Sequence, residues 1–111
     1  MRDWHVEMDV SELRKRLHAG EATYLLDVRQ PEEHAFAALP NSVLIPLREL
    51  PCRLREIQPP AEALVVAYCH HGVRSLMAAR FLRQHGIHAI SLRGGIDAWS
   101  SQVDPTIPRY A

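Results

Sequence analysis

Short apolar runs alternating with amphipathic stretches constrain this chain more than any other feature of its sequence. The runs fall at 6–8, 24–27, 43–45, 64–68 and 89–92, and each is of strand length. The segments between them carry apolar residues at helical spacing. Strands and helices in alternation build a parallel sheet, because a parallel connection needs a crossover of about a dozen residues or more. The expected fold class is α/β with five strands. A length of 111 residues fits one domain over 1–111, and a 47% hydrophobic content supplies a core.

Five helices are expected. Asp9 or Ser11 caps the first, Leu13 and Leu17 share a face, and Gly20 stops it. The stretch 31–39 opens with Pro31 at a first helical position, followed by Glu32 and Glu33, which suit the positive end of a helix dipole; Pro40 closes it. Residues 47–57 place Leu47, Leu50, Leu54 and Ile57 at helical spacing before Pro59 and Pro60. The clearest helix is 74–84, with Leu76, Ala79, Phe81 and Leu82 turned inward, Arg80 and Arg83 toward water, and Gly86 as the stop. A last helix spans 96–101, and Pro105 and Pro108 keep the tail from extending it.

Thirteen Lys and Arg balance thirteen Asp and Glu, so no global field recruits nucleic acid or an anionic membrane. No apolar stretch approaches the roughly 20 residues of a membrane span, and the opening MRDWHVEMDV has no signal-peptide core. A cytoplasmic location is expected. The two cysteines, Cys52 and Cys69, form no CxxC pair, disulfide framework or zinc set.

In open parallel sheets, ligands sit beyond the carboxyl ends of strands, where a loop enters the next helix. The strongest strand run, LVVAY, leads into such a loop: Cys69, His70, His71, Gly72, Val73, Arg74 and Ser75. Inward-facing amides, a helix N-terminus and a nearby Arg74 favour a thiolate over a thiol. Gly72 allows the tight bend such a loop requires. Ser75 caps the helix or donates to a bound anion, and His70 and His71 are further donors, one of them expected to diverge into solvent.

These residues carry a resemblance. CHHGVRS resembles the active-site loop of rhodanese domains, LLDVRQPEEH the family's second-strand motif, the stretch 39–47 its following strand and proline, and LRGGIDAW its late glycine-glycine-tryptophan motif. The resemblance runs from Tyr24 to Trp99 in the family order. It departs at Ala37, Ala38 and Leu39, where the family often has Gly-His-Ile, and at Asn41, which replaces a common glycine. It implies a rhodanese-like central five-stranded parallel sheet flanked by helices on both faces. It also implies a sulfurtransferase in which Cys69 becomes a persulfide, Arg74 and the other loop residues bind a small anionic donor such as thiosulfate, and Asp27 and Arg29 play a supporting, mainly structural part. A thiol or a protein is the expected acceptor, and no cofactor or metal is implied.

Two other readings stay open: a phosphatase or arsenate reductase on the same scaffold, and a noncatalytic interaction module. Four residues separate Cys69 from Arg74, one fewer than in the phosphatases that share the fold, and the shorter loop suits a single sulfur. Cys52 lacks a glycine and an amide cradle and is read as incidental. His5, His18, His34, His85 and His88 are read as surface residues, Gly94 and Gly95 as a turn beside the site, and Trp99 as packing. The sulfur-transfer reading requires a Cys69 thiol that solvent can reach, ringed by inward-pointing N–H groups.

Overall fold

A computed structural model describes residues 6–111; His5 lies outside them. Strands β1 (Glu7–Met8), β2 (Thr23–Asp27), β3 (Val43–Leu44), β4 (Leu64–Tyr68) and β5 (Ala89–Leu92) form one sheet in the order β1-β5-β4-β2-β3. Every pairing is parallel. All five residues of β4 are buried. A strand covered on both faces must be apolar throughout rather than alternating, which is why LVVAY stands out in the sequence.

Because strand side chains alternate, β4 feeds two cores. Val65, Ala67 and Cys69 join Leu26, Ile45 and Leu50 beneath α4 (Val73–Gln84), which contributes Ala78, Ala79 and Leu82. Leu64, Val66 and Tyr68 face the opposite way, against Val10 and Leu13 of α1 (Val10–His18) and Ile96 and Trp99 of α5 (Gly95–Gln102). Leu13, Leu26 and Leu82 are wholly excluded from solvent, each worth about 1.5–3 kcal/mol of transfer free energy. The five-stranded sheet with helices on both faces is the architecture expected.

Asp9 is the cap of α1, its Oδ1 accepting from Glu12 N at 2.9 Å. The helix α2 (Pro31–Phe36) starts at Pro31 but stops before Ala37, whose backbone is already extended, earlier than Pro40 would end it. The expected single helix over 47–57 is broken into a 3₁₀ turn (Leu47–Glu49), the short α3 (Leu50–Arg53) and a second 3₁₀ turn (Leu54–Glu56). Pro51 has no N–H to donate back to Leu47, so a helix begun at Leu47 is interrupted there and α3 starts afresh with Pro51 in its first turn. Asn41 takes φ 63°, a left-handed conformation that asparagine tolerates better than most residues, at the position where the resemblance has glycine.

Candidate active site

The loop after β4 emerges at the middle of the sheet, between β5 and β2, and α4 begins at Val73, one residue before the expected start. Gly72 precedes it with φ 108°, a conformation that a side chain would strain. That turn aims the Gly72 N–H at Cys69 Sγ, 3.1 Å away, and the next turn brings in Ser75 N at 3.4 Å. Both amides point at the sulfur. From outside, α5 grips the loop: Ile96 N donates to the Cys69 carbonyl at 2.8 Å and Asp97 N to that of His70 at 3.1 Å. Gly94 and Gly95, at φ 80° and 63°, make the turn that permits this approach.

Cys69 is only 1% exposed. The required N–H groups are present, but the required open access is not. The residue packs with the core beneath α4. Ser75 does not cap α4; it is the third residue of the helix, within its first turn. Its Oγ is 3.5 Å from Cys69 Sγ and 2.7 Å from Ser91 Oγ on β5. Cys52 is exposed and Val73 is 72% exposed.

Arg74 forms a two-pronged pair with Glu33 of α2, at 2.7 and 2.9 Å. Glu33 also accepts from Gln30 N at 2.9 Å and from the Tyr110 hydroxyl at 2.8 Å. The Arg74 guanidinium holds the Glu33 carboxyl down to about 2. Tyr110 returns from the tail to stack on His70, with ring centroids 4.0 Å apart. His70 and His71 do not diverge: their rings stack at 3.9 Å, although His71 remains exposed. Burial pushes His70 toward its neutral form.

Asp27 and Arg29 are fully buried beside the loop. Arg29 donates to Asp27 through Nε at 2.8 Å and Nη2 at 2.7 Å, and reaches the Ala37 carbonyl and Tyr110 hydroxyl with its other bonds. Burial opposes the Arg29 charge, but the Asp27 hydrogen bonds more than offset it. His34 is a correction to the surface assignment: it is partly buried, with Nδ1 2.8 Å from Asp27 Oδ2. Burial, with the Asp27 charge, pushes the Tyr68 hydroxyl up to about 12.

His70, His71 and Asp97 bring ligand atoms within 4.8 Å of one another. Arg109 occupies the Asp97 carboxylate at 2.9 and 3.0 Å.

The rhodanese-like domain model matches residues 9–102. The chain belongs to the rhodanese-like family. A sulfurtransferase from Allochromatium vinosum is 37% identical, the match covering 91% of this rhodanese-like chain and 94% of that protein. An adenylyltransferase and sulfurtransferase, uba4, from Ogataea parapolymorpha is 34% identical over 96% of this chain, which spans only 29% of its length. A rhodanese-related protein from Thermoplasma volcanium superposes with a TM-score of 0.80 at 29% identity, over 94% of this chain and 98% of that one. Among the described residues of this rhodanese-like chain, no helix is long and apolar enough to cross a membrane.

Three residues at the site escaped the sequence reading. In the sequence Glu33 is marked only by its place at a helix start, and nothing marks Tyr110 in the tail beyond Pro108. Ser91 is the lone hydroxyl in an otherwise apolar strand, a signal that marks a buried polar partner.

Proposed function

We propose that this chain is a sulfurtransferase that carries sulfur as a persulfide on Cys69, with residues 1–111 acting as one rhodanese domain. The two amides at Cys69 Sγ carry this reading, since they would stabilise the thiolate before attack and the charge on the outer sulfur afterwards. The thiolate attacks the outer sulfur of thiosulfate or a similar sulfane donor. An S–S bond forms at Cys69 while the donor's S–S bond breaks, and its electron pair leaves on sulfite. A nucleophilic acceptor, a thiol or a protein, then takes the outer sulfur and Cys69 departs as thiolate. Sulfur moves without an external oxidant or reductant.

In this scheme His70, His71, Gly72, Val73, Arg74 and Ser75 line the donor site, while Asp27 and Arg29 hold the base of the loop. A reducing compartment such as the cytoplasm would keep Cys52 and Cys69, both free, as thiols. The low exposure of Cys69 adds one condition: the donor's outer sulfur must reach a thiol whose residue keeps only 1% of its surface open to solvent.

Intact-mass spectrometry after incubation with thiosulfate tests the reading. A gain of one sulfur atom, lost on addition of a thiol and absent in Cys69→Ser, is expected. An unshifted mass with thiosulfate, mercaptopyruvate and a protein persulfide alike would reject it. The burial of Cys69 favours one rival, a noncatalytic interaction module, for which Cys69→Ser would leave every function of the chain intact.

A further inference from the structure

Among the described residues, the three guanidinium groups at the loop, of Arg29, Arg74 and Arg109, are each matched by a carboxylate. Arg29 is paired with Asp27, Arg109 with Asp97, and Arg74 with Glu33. His71 lies 3.7 Å from Asp97, and burial favours the neutral form of His70. The Arg74 pair matters most, because Arg74 lies on the loop itself. Both terminal nitrogens are engaged, so the end-on face that suits a planar or tetrahedral oxyanion is already filled by a carboxylate.

Glu33 is held in this position from two further directions. Gln30 N fixes one of its oxygens and the Tyr110 hydroxyl the other. Tyr110 is in turn seated by Arg29 at 2.8 Å, by its stack on His70 and by the edge of Phe36, with centroids 5.8 Å apart. A free oxyanion would have to displace a carboxylate held by four hydrogen bonds.

We propose, resting on the sulfur-transfer reading of Cys69, that Glu33 is a specificity-determining residue that neutralises Arg74 and turns the site away from small free oxyanions, toward persulfides borne on a thiol. Such donors carry less charge at the sulfur than the thiosulfate dianion, so they lose less when the loop presents no unpaired cation. Transfer from them balances as before: the thiolate attacks the outer sulfur, the donor S–S bond breaks, and the pair leaves on the donor thiolate. The outer sulfur keeps its proton.

Two alkylating reagents of nearly equal size test this, iodoacetate with a negative charge and iodoacetamide with none. Peptide mass mapping follows Cys69, and exposed Cys52 serves as the reference in the same molecule. In the unaltered protein, Cys69 shows no preference for iodoacetate over iodoacetamide beyond that of Cys52. Glu33→Gln raises the Cys69 ratio of iodoacetate to iodoacetamide rates by about tenfold, the size expected of one uncovered charge in a confined site. It leaves the Cys52 ratio unmoved, and adding Arg74→Ala removes the gain. The same Glu33→Gln change lowers the KM for thiosulfate more than that for a glutathione persulfide.

Equal acceleration by both reagents would mean that Glu33 only braces the loop, and would overturn the proposal. So would a strong iodoacetate preference in the unaltered protein. Tyr110→Phe removes one clamp without touching the Glu33 charge, and a smaller shift in the same direction is expected, which keeps the test available if Glu33→Gln fails to fold. Alkylation needs no sulfur transfer, so this outcome is independent of the persulfide mass test.

Discussion

Ser91 Oγ lies 2.7 Å from Ser75 Oγ, and both side chains are shut off from solvent. The contact ties β5 to the first turn of α4, directly behind Cys69. Ser91→Ala leaves the buried Ser75 hydroxyl with only long bonds, to the Gly72 carbonyl at 3.3 Å and to Cys69 Sγ at 3.5 Å. The expected cost is about 1–3 kcal/mol, the range for stranding a buried polar group. Urea unfolding measures it, and a change within error would mean that the two hydroxyls do not depend on each other.

Asp27 accepts from the Arg29 backbone and side chain, from Tyr68 Oη at 3.2 Å, and is bonded to His34. Asp27→Asn keeps the shape but removes the only carboxylate on a fully buried guanidinium among the described residues. A loss of about 3–5 kcal/mol is expected, a large share of the roughly 5–15 kcal/mol that holds a domain together. Thermal unfolding by circular dichroism decides, and an unchanged melting temperature would show that Arg29 finds its compensation elsewhere.

Gly95→Ala places a methyl group into the Cys69 and His70 carbonyls, at a backbone φ of 63° that already disfavours any side chain. Ile96 N and Asp97 N then lose their acceptors. The variant is expected to unfold more easily by at least about 2 kcal/mol and to alkylate Cys69 faster than the unaltered chain, while Cys52 reacts at its former rate. Unchanged Cys69 protection would show that α5 does not hold the loop shut.

Glu33 gives the chain a signature in acid. Its folded-state value of about 2 lies below the ordinary 4.5, so its stabilising contribution is complete above pH 4.5 and disappears as pH falls through about 2. Asp97, pulled down by Arg109, and Glu56, pulled down by Arg53, add to the same acid slope, so the comparison must be with Glu33→Gln. The stability gap between the two proteins, about 1–3 kcal/mol near neutrality, should close between pH 4.5 and 2 in denaturant titrations. A gap independent of pH would rule out the Arg74 pair as its source.

The sheet, its helices and the Cys69 loop were legible because their signals are local. LVVAY is apolar at every position, as a doubly covered strand must be, and a cysteine followed three residues later by glycine at the mouth of such a strand marks the cradle. The broken helix at 47–57 was misread because spacing alone outweighed Pro51. What stayed hidden was long-range. Glu33 and Tyr110 are 77 positions apart, and no periodicity in either neighbourhood signals that the tail returns across the site. The depth of Cys69 was likewise invisible, since a loop position says where a side chain begins and not how far its neighbours close over it.

The grip of α5 on the Cys69 and His70 carbonyls fixes the beginning of the loop, while Ser75, seated in the first turn of α4, fixes its end. A span anchored at both ends has no slack to absorb an added residue. Inserting one between His71 and Arg74 would leave the two carbonyl bonds intact yet rotate the start of α4 by about 100°, carrying the Ser75 amide off the sulfur. Loop length and helix phase are thus a single property in this chain, and neither can change without the other.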